Sequence, residues 1–303
     1  MPVLSGSAST AVRHLLDGPA RTGTVAAVGS SAVYLRVGAD LLAVLTSGAT
    51  RVPCAVVLSP TARLPGSLQL GRQVEVGAGA LTWTDRAGRR WVLRPRRWWA
   101  PAVVRPGARS TGGSARLREL LRELPRKRRR RADSSAGLSA DAGADPGPKP
   151  WLVEAADEAA RLLAAGRPDD AAERCVGLLG RGRGSTPSGD DAVAGLLLAA
   201  RALLPDGRVG EGHGPARDLA AVAERVAAAA PDRTSAVSAA LLRHAAAGRT
   251  VGAVVDAVDV LVDRSPDPHP DDVLRRLLAL GHGSGVDTAT GLLAAADHLP
   301  VVR

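Results

Sequence analysis

The sequence predicts an α+β protein in which a β-rich N-terminal barrel or sandwich domain is followed by an α-helical C-terminal domain. Short runs of Val, Leu, Tyr and Trp, separated by Gly, Pro, Ser or Asp, fill the N-terminal part and are typical of strands. Beyond residue 151 the apolar residues recur with helical periodicity. The chain has 303 residues and 45% hydrophobic content, enough for two domains with buried cores.

The N-terminal part begins with a predicted short helix over residues 8–16, and strand-like runs follow over residues 21–104. They read TGTVAAVG, AVYLRVG, LLAVLT, CAVVLS, RQVEVG, ALTWT and RWVLRP. Antiparallel strands at this spacing are typical of a small barrel or sandwich. Because the chain has no Phe, we expect the Trp residues of this part to fill its core: Trp83, Trp91, Trp98 and Trp99.

A basic run separates the two parts. A predicted helix over residues 114–124 leads into six consecutive Lys or Arg residues, 126–131, and a Gly, Ser, Asp and Pro mixture follows up to residue 150. Like charges in a row repel one another, which favours a solvated, disordered linker over tethering to nucleic acid or a membrane, despite the formal net charge of +10. The predicted domains are therefore residues 1–113, a linker at 114–150, and residues 151–303.

Cysteine usage and the N-terminal sequence predict a cytoplasmic protein. Cys54 and Cys175 are far apart and neither belongs to a CxxC motif, which favours a reducing compartment, with Cys175 as a small core residue. The N-terminal sequence has no charged segment followed by an apolar one, and no stretch approaches the roughly 20 apolar residues that span a membrane.

The C-terminal part is predicted to be an array of helices, with Gly, Pro and Asp at their ends. The predicted helices are residues 152–165, 169–179, 189–204, 215–229, 233–247, 251–262, 271–280 and 285–299.

Two of these helices have matching starts. The segment SGDDAVAGLLLAARAL overlays SGVDTATGLLAAADHL, and both follow glycine-containing loops. The first loop contains Gly180, Gly182 and Gly184, and the second contains Gly281 and Gly283. Ser188, Gly189, Asp191 and Gly195 fall on Ser284, Gly285, Asp287 and Gly291. A Gly inside a helix costs about 1 kcal/mol relative to Ala, so its repeated use indicates tight packing over that helix face. We therefore expect the two helices to meet near Gly195 and Gly291 and their loops to converge on one cleft.

A purely structural explanation stands beside this one. Ser188 and Ser284 are residue types favoured at N-caps, and Asp in a first turn is stabilised by the helix dipole. Each segment would then be only a stable helix start.

Such a cleft has mixed electrostatics. Backbone N–H groups at a helix start bind phosphate or carboxylate, and Arg181 and Arg183 add positive charge, whereas the nearby carboxylates repel anions. Two arrangements resolve the conflict: a Mg²⁺ ion that bridges a phosphate and the carboxylates of Asp190, Asp191 and Asp287, or a ligand with an anionic end for the loops and an amide or ammonium end for the carboxylates. The GxxxxGK[ST] pattern of a P-loop is absent from the sequence.

The segment GRGRGSTPSGDDAVAGLLLA resembles the GxGxGLTPSGDDxLxG signature of a bacterial family whose best-known member is the AllH-type subunit of oxamate carbamoyltransferase. The similarity continues through TSAVSAALLRHAAAGR and through GHGSGVDTATGLL, which resembles the family's closing motif. The N-terminal segments VPCAVVLS and LGRQVEVG also resemble the family's first half. The loop differs from the family pattern at Arg183 and Ser185, and the large apolar residue after the Asp pair is replaced at Ala192 and Val193.

The resemblance implies one subunit of a hetero-oligomeric complex in purine or allantoin breakdown, which exchanges oxalurate and phosphate with oxamate and carbamoyl phosphate. The predicted catalytic residues are Asp190, Asp191, Asp287 and His282. The predicted substrate- or anion-binding residues are Gly182, Arg183, Gly184, Thr186, Ser188, Gly189, Gly283, Ser284 and Gly285. A stand-alone Mg²⁺-dependent hydrolase or transferase acting on a phosphorylated small molecule is one alternative, and a non-enzymatic ligand-binding or regulatory subunit is another.

Overall fold

The computed structural model describes residues 2–106, 112–132, 147–204, 214–265, 269–281 and 283–300, with the backbone alone at 124–132. The chain divides into two compact units. The barrel unit comprises Met1–Ala102 with Arg249–Gly252, and the helical unit comprises Val103–Gly248 with Ala253–Arg303. The predicted fold class, a β-rich N-terminal domain followed by a helical region, is confirmed.

Eight strands close the barrel in the order β1-β5-β4-β3-β2-β6-β7-β8. They are β1 (Val3–Ser9), β2 (Arg21–Val28), β3 (Ala32–Val37), β4 (Asp40–Leu45), β5 (Ala55–Leu58), β6 (Gln73–Gly77), β7 (Ala80–Thr84) and β8 (Arg90–Trp99). Buried and exposed residues alternate along β3 and β6, because successive side chains of a strand point to opposite faces. The interior is filled mainly by Val and Leu.

The first strand was not predicted. The predicted helix over residues 8–16 is wrong at its start, because Val3–Ser9 forms β1, and only a 3₁₀ turn (Thr10–Val12) and α1 (Arg13–Leu16) follow it. The expected antiparallel pairing is also incomplete: β1 runs parallel to β8, and β4 runs parallel to β5. The strand β1 was missed because it is rich in Gly, Ser and Ala and has few of the β-branched and aromatic residues that predict strands.

The four tryptophans predicted to fill the barrel core are buried to different extents. Trp83 is 4% exposed, and the partly buried Trp91 and Trp98 pack against the same core. Trp99 packs against a second, smaller cluster of buried residues.

The helical unit contains α2 (Gly113–Ala132), α3 (Pro150–Ala164), α4 (Pro168–Leu178), α5 (Ser188–Leu203), α6 (Pro215–Arg233), α7 (Ala236–Ala246), α8 (Gly252–Leu261), α9 (Pro270–Leu278) and α10 (Ser284–His298). The two-residue strands β9 (Ala102–Val103) and β10 (Arg249–Thr250) stand at positions where the chain divides into its units. Almost every residue of α5 is buried, which is the pattern of a helix surrounded by others. Cys175 of α4 is fully buried, as predicted for a core residue, and burial raises the pKa of its thiol to about 12.

Helix α2 is longer than predicted and includes the basic run in its backbone. Its N-terminal half packs on the helical unit through Leu117, Leu120 and Leu121, which are buried. Arg116 forms an ion pair with Asp271 of α9. The side chains of the basic run and the rest of the predicted linker, residues 133–146, lie outside the described residues.

Helices α5 and α10 cross at their glycines, as predicted. A Cβ atom placed on Gly195 would overlap with the carbonyl oxygen of Thr288, and one on Gly291 would overlap with the carbonyl oxygen of Ala192. These contacts are equivalent under the sequence shift that relates the two helices. Backbone therefore lies directly against backbone at this crossing.

Among the described helices, none is long and apolar enough to cross a membrane.

We expect Gly195→Ala and Gly291→Ala each to destabilise the helical unit by about 2 kcal/mol or more, because the added methyl group has no space at the crossing. The matched control is Gly177→Ala on α4, where an added Cβ has no neighbour within 4 Å. This change should be neutral or stabilise by up to about 1 kcal/mol. Urea unfolding followed by far-UV circular dichroism measures all three, and a Gly291→Ala variant as stable as the parent would contradict the close crossing.

Candidate functional site

The two glycine-containing loops meet at the starts of α5 and α10. The hydroxyl groups of Thr186 and Ser284 lie 3.0 Å apart and share a hydrogen bond. The first loop is also held by α7, where the Ser235 hydroxyl donates to the carbonyl of Ser185 at 2.5 Å. The predicted convergence of the two loops is therefore confirmed by a direct contact.

The predicted N-caps are wrong by one residue. Pro187 caps α5, and its carbonyl accepts from the N–H groups of Asp190 and Asp191. Gly283 caps α10, and its carbonyl accepts from Asp287 N–H. Because Ser284 is the first helical residue and no longer a cap, its hydroxyl faces the other loop.

Gly189 and Gly285 pack the helix starts. A Cβ on Gly189 would overlap with the carbonyl oxygen of Leu178 at the end of α4, and one on Gly285 with that of Leu277 at the end of α9. Their N–H groups donate to the carbonyls of Arg181 and Leu280. Both glycines thus contribute close packing, and their N–H groups are already used.

Asp190 holds the first loop in place. Its Oδ1 accepts from Gly180 N–H at 2.8 Å, and its Oδ2 accepts from the Ser238 hydroxyl at 2.6 Å and from the Thr234 hydroxyl. The side chain is 1% exposed. Because both carboxylate oxygens bind groups of the protein, the geometry gives Asp190 a structural role in the loop.

Asp191 has a different environment. Its Oδ2 is buried and has no hydrogen-bond partner among the described residues. Burial, and then the nearby charges of Asp287 and Asp190, raise the pKa of Asp191 from 3.8 to about 8, although the hydroxyls of Ser284 and Thr186 favour its charged form. The carboxyl group is therefore mostly protonated at neutral pH.

Asp287 is the counterpart of Asp191 on α10 and is ion-paired. Lys149, at the N-cap of α3, donates from Nζ to Asp287 Oδ1 at 2.6 Å. Asp287 is 3% exposed, whereas the lysine side chain is 35% exposed. The ammonium group thus neutralises the buried carboxylate and still reaches solvent.

The start of α3 forms a further side of the site. The guanidinium of Arg181 lies 4.9 Å from the ring centroid of Trp151, a cation–π contact that holds this loop arginine beside α3. Arg183 is exposed.

The other predicted glycines differ in how much space surrounds them. Gly182 has φ of 125°, and an added Cβ would lie 2.5 Å from Ser188 N, so only glycine fits. Gly184 has φ of 94° and open space beside it. His282 lies outside the described residues, and its proposed role stays a prediction.

The predicted Mg²⁺ ligands do not gather into one set. Over the described residues, no group of three His, Cys, Asp or Glu side chains is placed to hold a metal ion. Asp190 contacts α7 and the Gly180 backbone, Asp191 lies beside the hydroxyls of Ser284 and Thr186, and Asp287 pairs with Lys149. The metal site stays a prediction.

Sequence reasoning missed Lys149 and Trp151. A usable signal existed, because Lys127 and Lys149 are the only lysines in a chain rich in arginine, and Lys149 directly precedes a proline that starts a helix. That signal does not identify Asp287 as the partner, which lies 138 positions away.

Comparison with known proteins supports the motif assignment. Residues 178–296 match the model of the family described as oxamate carbamoyltransferase subunit AllH. This region of the chain is AllH-like. The AllH-like region starts at the end of α4 and includes both loops, α5, and all but the last two residues of α10. No curated protein and no solved structure matches the chain.

The raised pKa of Asp191 makes stability depend on pH. Between about pH 4 and pH 8 the folded state keeps a proton on Asp191 that the unfolded state loses, so the free energy of unfolding decreases as pH rises, by at most about 1.4 kcal/mol per pH unit. We expect Asp191→Asn to be progressively more stable than the parent over this window, with no further gain above pH 8. Urea unfolding at several pH values tests this. The control is Asp169→Asn, at a side chain that is 91% exposed. If the free energies of unfolding of the parent and of Asp191→Asn changed in parallel with pH, the raised pKa of Asp191 would be contradicted.

We expect Lys149→Met to destabilise the helical unit by about 2–3 kcal/mol, because it leaves the Asp287 carboxylate buried without its cation. The double variant Lys149→Met/Asp287→Asn should recover part of that loss. Arg167→Met, which breaks an exposed ion pair with Asp170, is the control and should change stability by less than about 1 kcal/mol. A double variant no more stable than Lys149→Met would show that the pair is not coupled.

Proposed function

We propose that the chain is one subunit of a carbamoyltransferase-type complex and binds substrate where the α5 and α10 loops meet. The reaction is the exchange of oxamate and carbamoyl phosphate with oxalurate and phosphate. The observation that carries the proposal is the buried Oδ2 of Asp191, which has no hydrogen-bond partner among the described residues and lies in the AllH-like region beside the hydroxyls of Thr186 and Ser284.

The charges of the site suit an anionic substrate. Asp191 is mostly neutral at pH 7, and the charge of Asp287 is balanced by Lys149. Arg181 and Arg183 then leave the loops with an excess of positive charge. The proton on Asp191 and the ion pair of Asp287 thus reduce the repulsion between these carboxyl groups and an anion. On this arrangement the site needs neither a Mg²⁺ ion nor a ligand with separate anionic and amide ends to bind an anion.

Carbamoyl transfer fits a site in which a protonated carboxyl group lies close to cationic side chains. The amide nitrogen of oxamate forms a bond to the carbamoyl carbon as the bond from that carbon to the phosphate oxygen breaks, and the proton that the nitrogen loses passes to the released phosphate. Protonated Asp191 can donate a hydrogen bond to an oxygen of either substrate, as a carboxylic acid kept neutral by burial does. The Lys149 ammonium and the loop arginines bind carboxylate or phosphate.

The proposal makes substrate binding depend on the proton of Asp191. The affinity of the purified chain for carbamoyl phosphate should fall as pH rises through about 8, where Asp191 ionises, whereas the phosphate group has already ionised near about pH 6. Asp191→Asn keeps a neutral donor and should bind with little pH dependence, and Asp191→Ala should bind weakly throughout. Isothermal titration calorimetry measures all three, with Asp169→Asn as the control and oxamate as the second ligand.

Two results would overturn the proposal. One is a parent chain that binds neither carbamoyl phosphate nor oxamate at any pH. The other is binding that Asp191→Ala leaves unchanged, which would place the substrate elsewhere.

A further inference from the structure

The barrel unit has an open groove of about 740 Å³ that lies outside the AllH-like region. Its lining comes from β2, β6, β7, β8 and the turn that precedes β6. All lining residues belong to the barrel unit, so the groove is complete without the helical unit.

The groove is positively charged. Residues 1–102 contain twelve arginines against four Asp or Glu residues, and Arg72, Arg86 and Arg90 line the groove. The one acidic residue in the lining is Glu75, which accepts from the Thr82 hydroxyl at 2.8 Å and lies 3.9 Å from Arg90. Over the described part of the chain, neither Arg72 nor Arg86 forms an ion pair. Two guanidinium groups are thus available to an acidic ligand.

An apolar side chain lies in this charged lining. Leu70 is 73% exposed, more than any other large hydrophobic residue in the described ranges. A leucine presented to water at a basic surface has an unfavourable hydration, which a partner with an apolar group would relieve.

The backbone holds Leu70 in this exposed position. Arg72 N–H donates to the Gln69 carbonyl at 2.9 Å, which closes a β-turn, and Gly71 supplies the positive φ of 78° that its third position requires. Val25 of β2 fixes the turn through two backbone hydrogen bonds, to Gly71 and Arg72, each 2.9 Å long. The leucine is therefore presented by a fixed turn, which reduces the entropy lost on binding.

The floor of the groove favours a protein partner over nucleic acid. Trp83 is 4% exposed, donates from Nε1 to the Ser67 hydroxyl at 2.9 Å, and stacks on Trp91 with ring centroids 6.0 Å apart. Its ring face is thus not available for a nucleobase to stack on. The barrel is closed, so a partner cannot add a strand to an edge in this sheet and must be recognised by side chains.

We propose that this groove binds an acidic segment of a partner protein. Carboxylates of that segment pair with Arg72 and Arg86, and one of its apolar side chains packs against Leu70. Protein–protein interfaces combine apolar contacts with arginine, which is enriched there, and the lining of this groove offers both. The proposal uses no residue of the helical unit, so it can fail without affecting the proposed transferase site.

Fluorescence anisotropy with the full chain and three labelled probes tests the proposal. The probes are a glutamate-rich peptide with one leucine, the same peptide with serine in place of the leucine, and an oligo-dT strand of equal charge. We expect the leucine peptide to bind most tightly, and Arg86→Glu and Leu70→Ser each to raise its Kd by about tenfold. The control is Arg51→Glu, which makes the same change in net charge at an exposed arginine outside the groove and should change Kd by less than about twofold.

Equal weakening by Arg51→Glu and Arg86→Glu would overturn the proposal, because binding would then depend only on net charge. Failure of both peptides to bind would also overturn it. Tighter binding of oligo-dT that is lost in Arg86→Glu would assign the groove to nucleic acid instead.

Discussion

The backbone contact between α5 and α10 is the constraint on which the candidate site depends. Gly195 lies against the Thr288 carbonyl and Gly291 against the Ala192 carbonyl, so the two helix axes approach more closely than side chains would allow. The helix starts lie two turns from these glycines, or about 10 Å. At that distance a wider crossing would separate Thr186 from Ser284 and open the site. The energetic cost of glycine inside two helices is thus linked to the geometry of their loops.

The two halves of the site have the same construction but different charges. Each consists of a helix that begins with Pro-Asp-Asp, a loop, and a second helix whose second residue is a glycine packed on the end of the first: α4 with α5, and α9 with α10. Lys149 breaks this symmetry, because it pairs with Asp287, whereas Oδ2 of Asp191 has no hydrogen-bond partner in the described part of the chain. The two equivalent carboxyl groups therefore have different surroundings, with Asp287 in an ion pair and the pKa of Asp191 raised by burial to about 8.

A feature of the fold or of the site could be predicted from the sequence where neighbouring residues determine it, and could not where distant parts of the chain do. The strands from residue 21 onward were predictable because Val, Leu and Trp alternate with turn residues, and the crossing of α5 and α10 was predictable because glycines recur at matching positions. The strand β1 was missed because its residues have weak strand propensity and only its partners β5 and β8 define it. The role of Asp190 could not be predicted, since Ser238 and Thr234, which bind it, belong to another part of the chain.

The state of Asp191 is an argument for function in itself. A helix start that had only to be stable would place Asn or an ionised, solvated Asp at this position, because a buried carboxyl without a partner for Oδ2 lowers stability at neutral pH. Asp190, one residue earlier, shows that the same loop can satisfy both oxygens of a buried carboxylate completely. Over the residues that the structure describes, one of two adjacent aspartates thus has partners for both carboxylate oxygens, and the other lacks a partner for Oδ2. Residues that reduce stability in this way concentrate at sites where binding or catalysis requires them. The Oδ2 atom of Asp191, buried and without a partner among the described residues, distinguishes these loops from an ordinary helix start more than the glycine-rich sequence does.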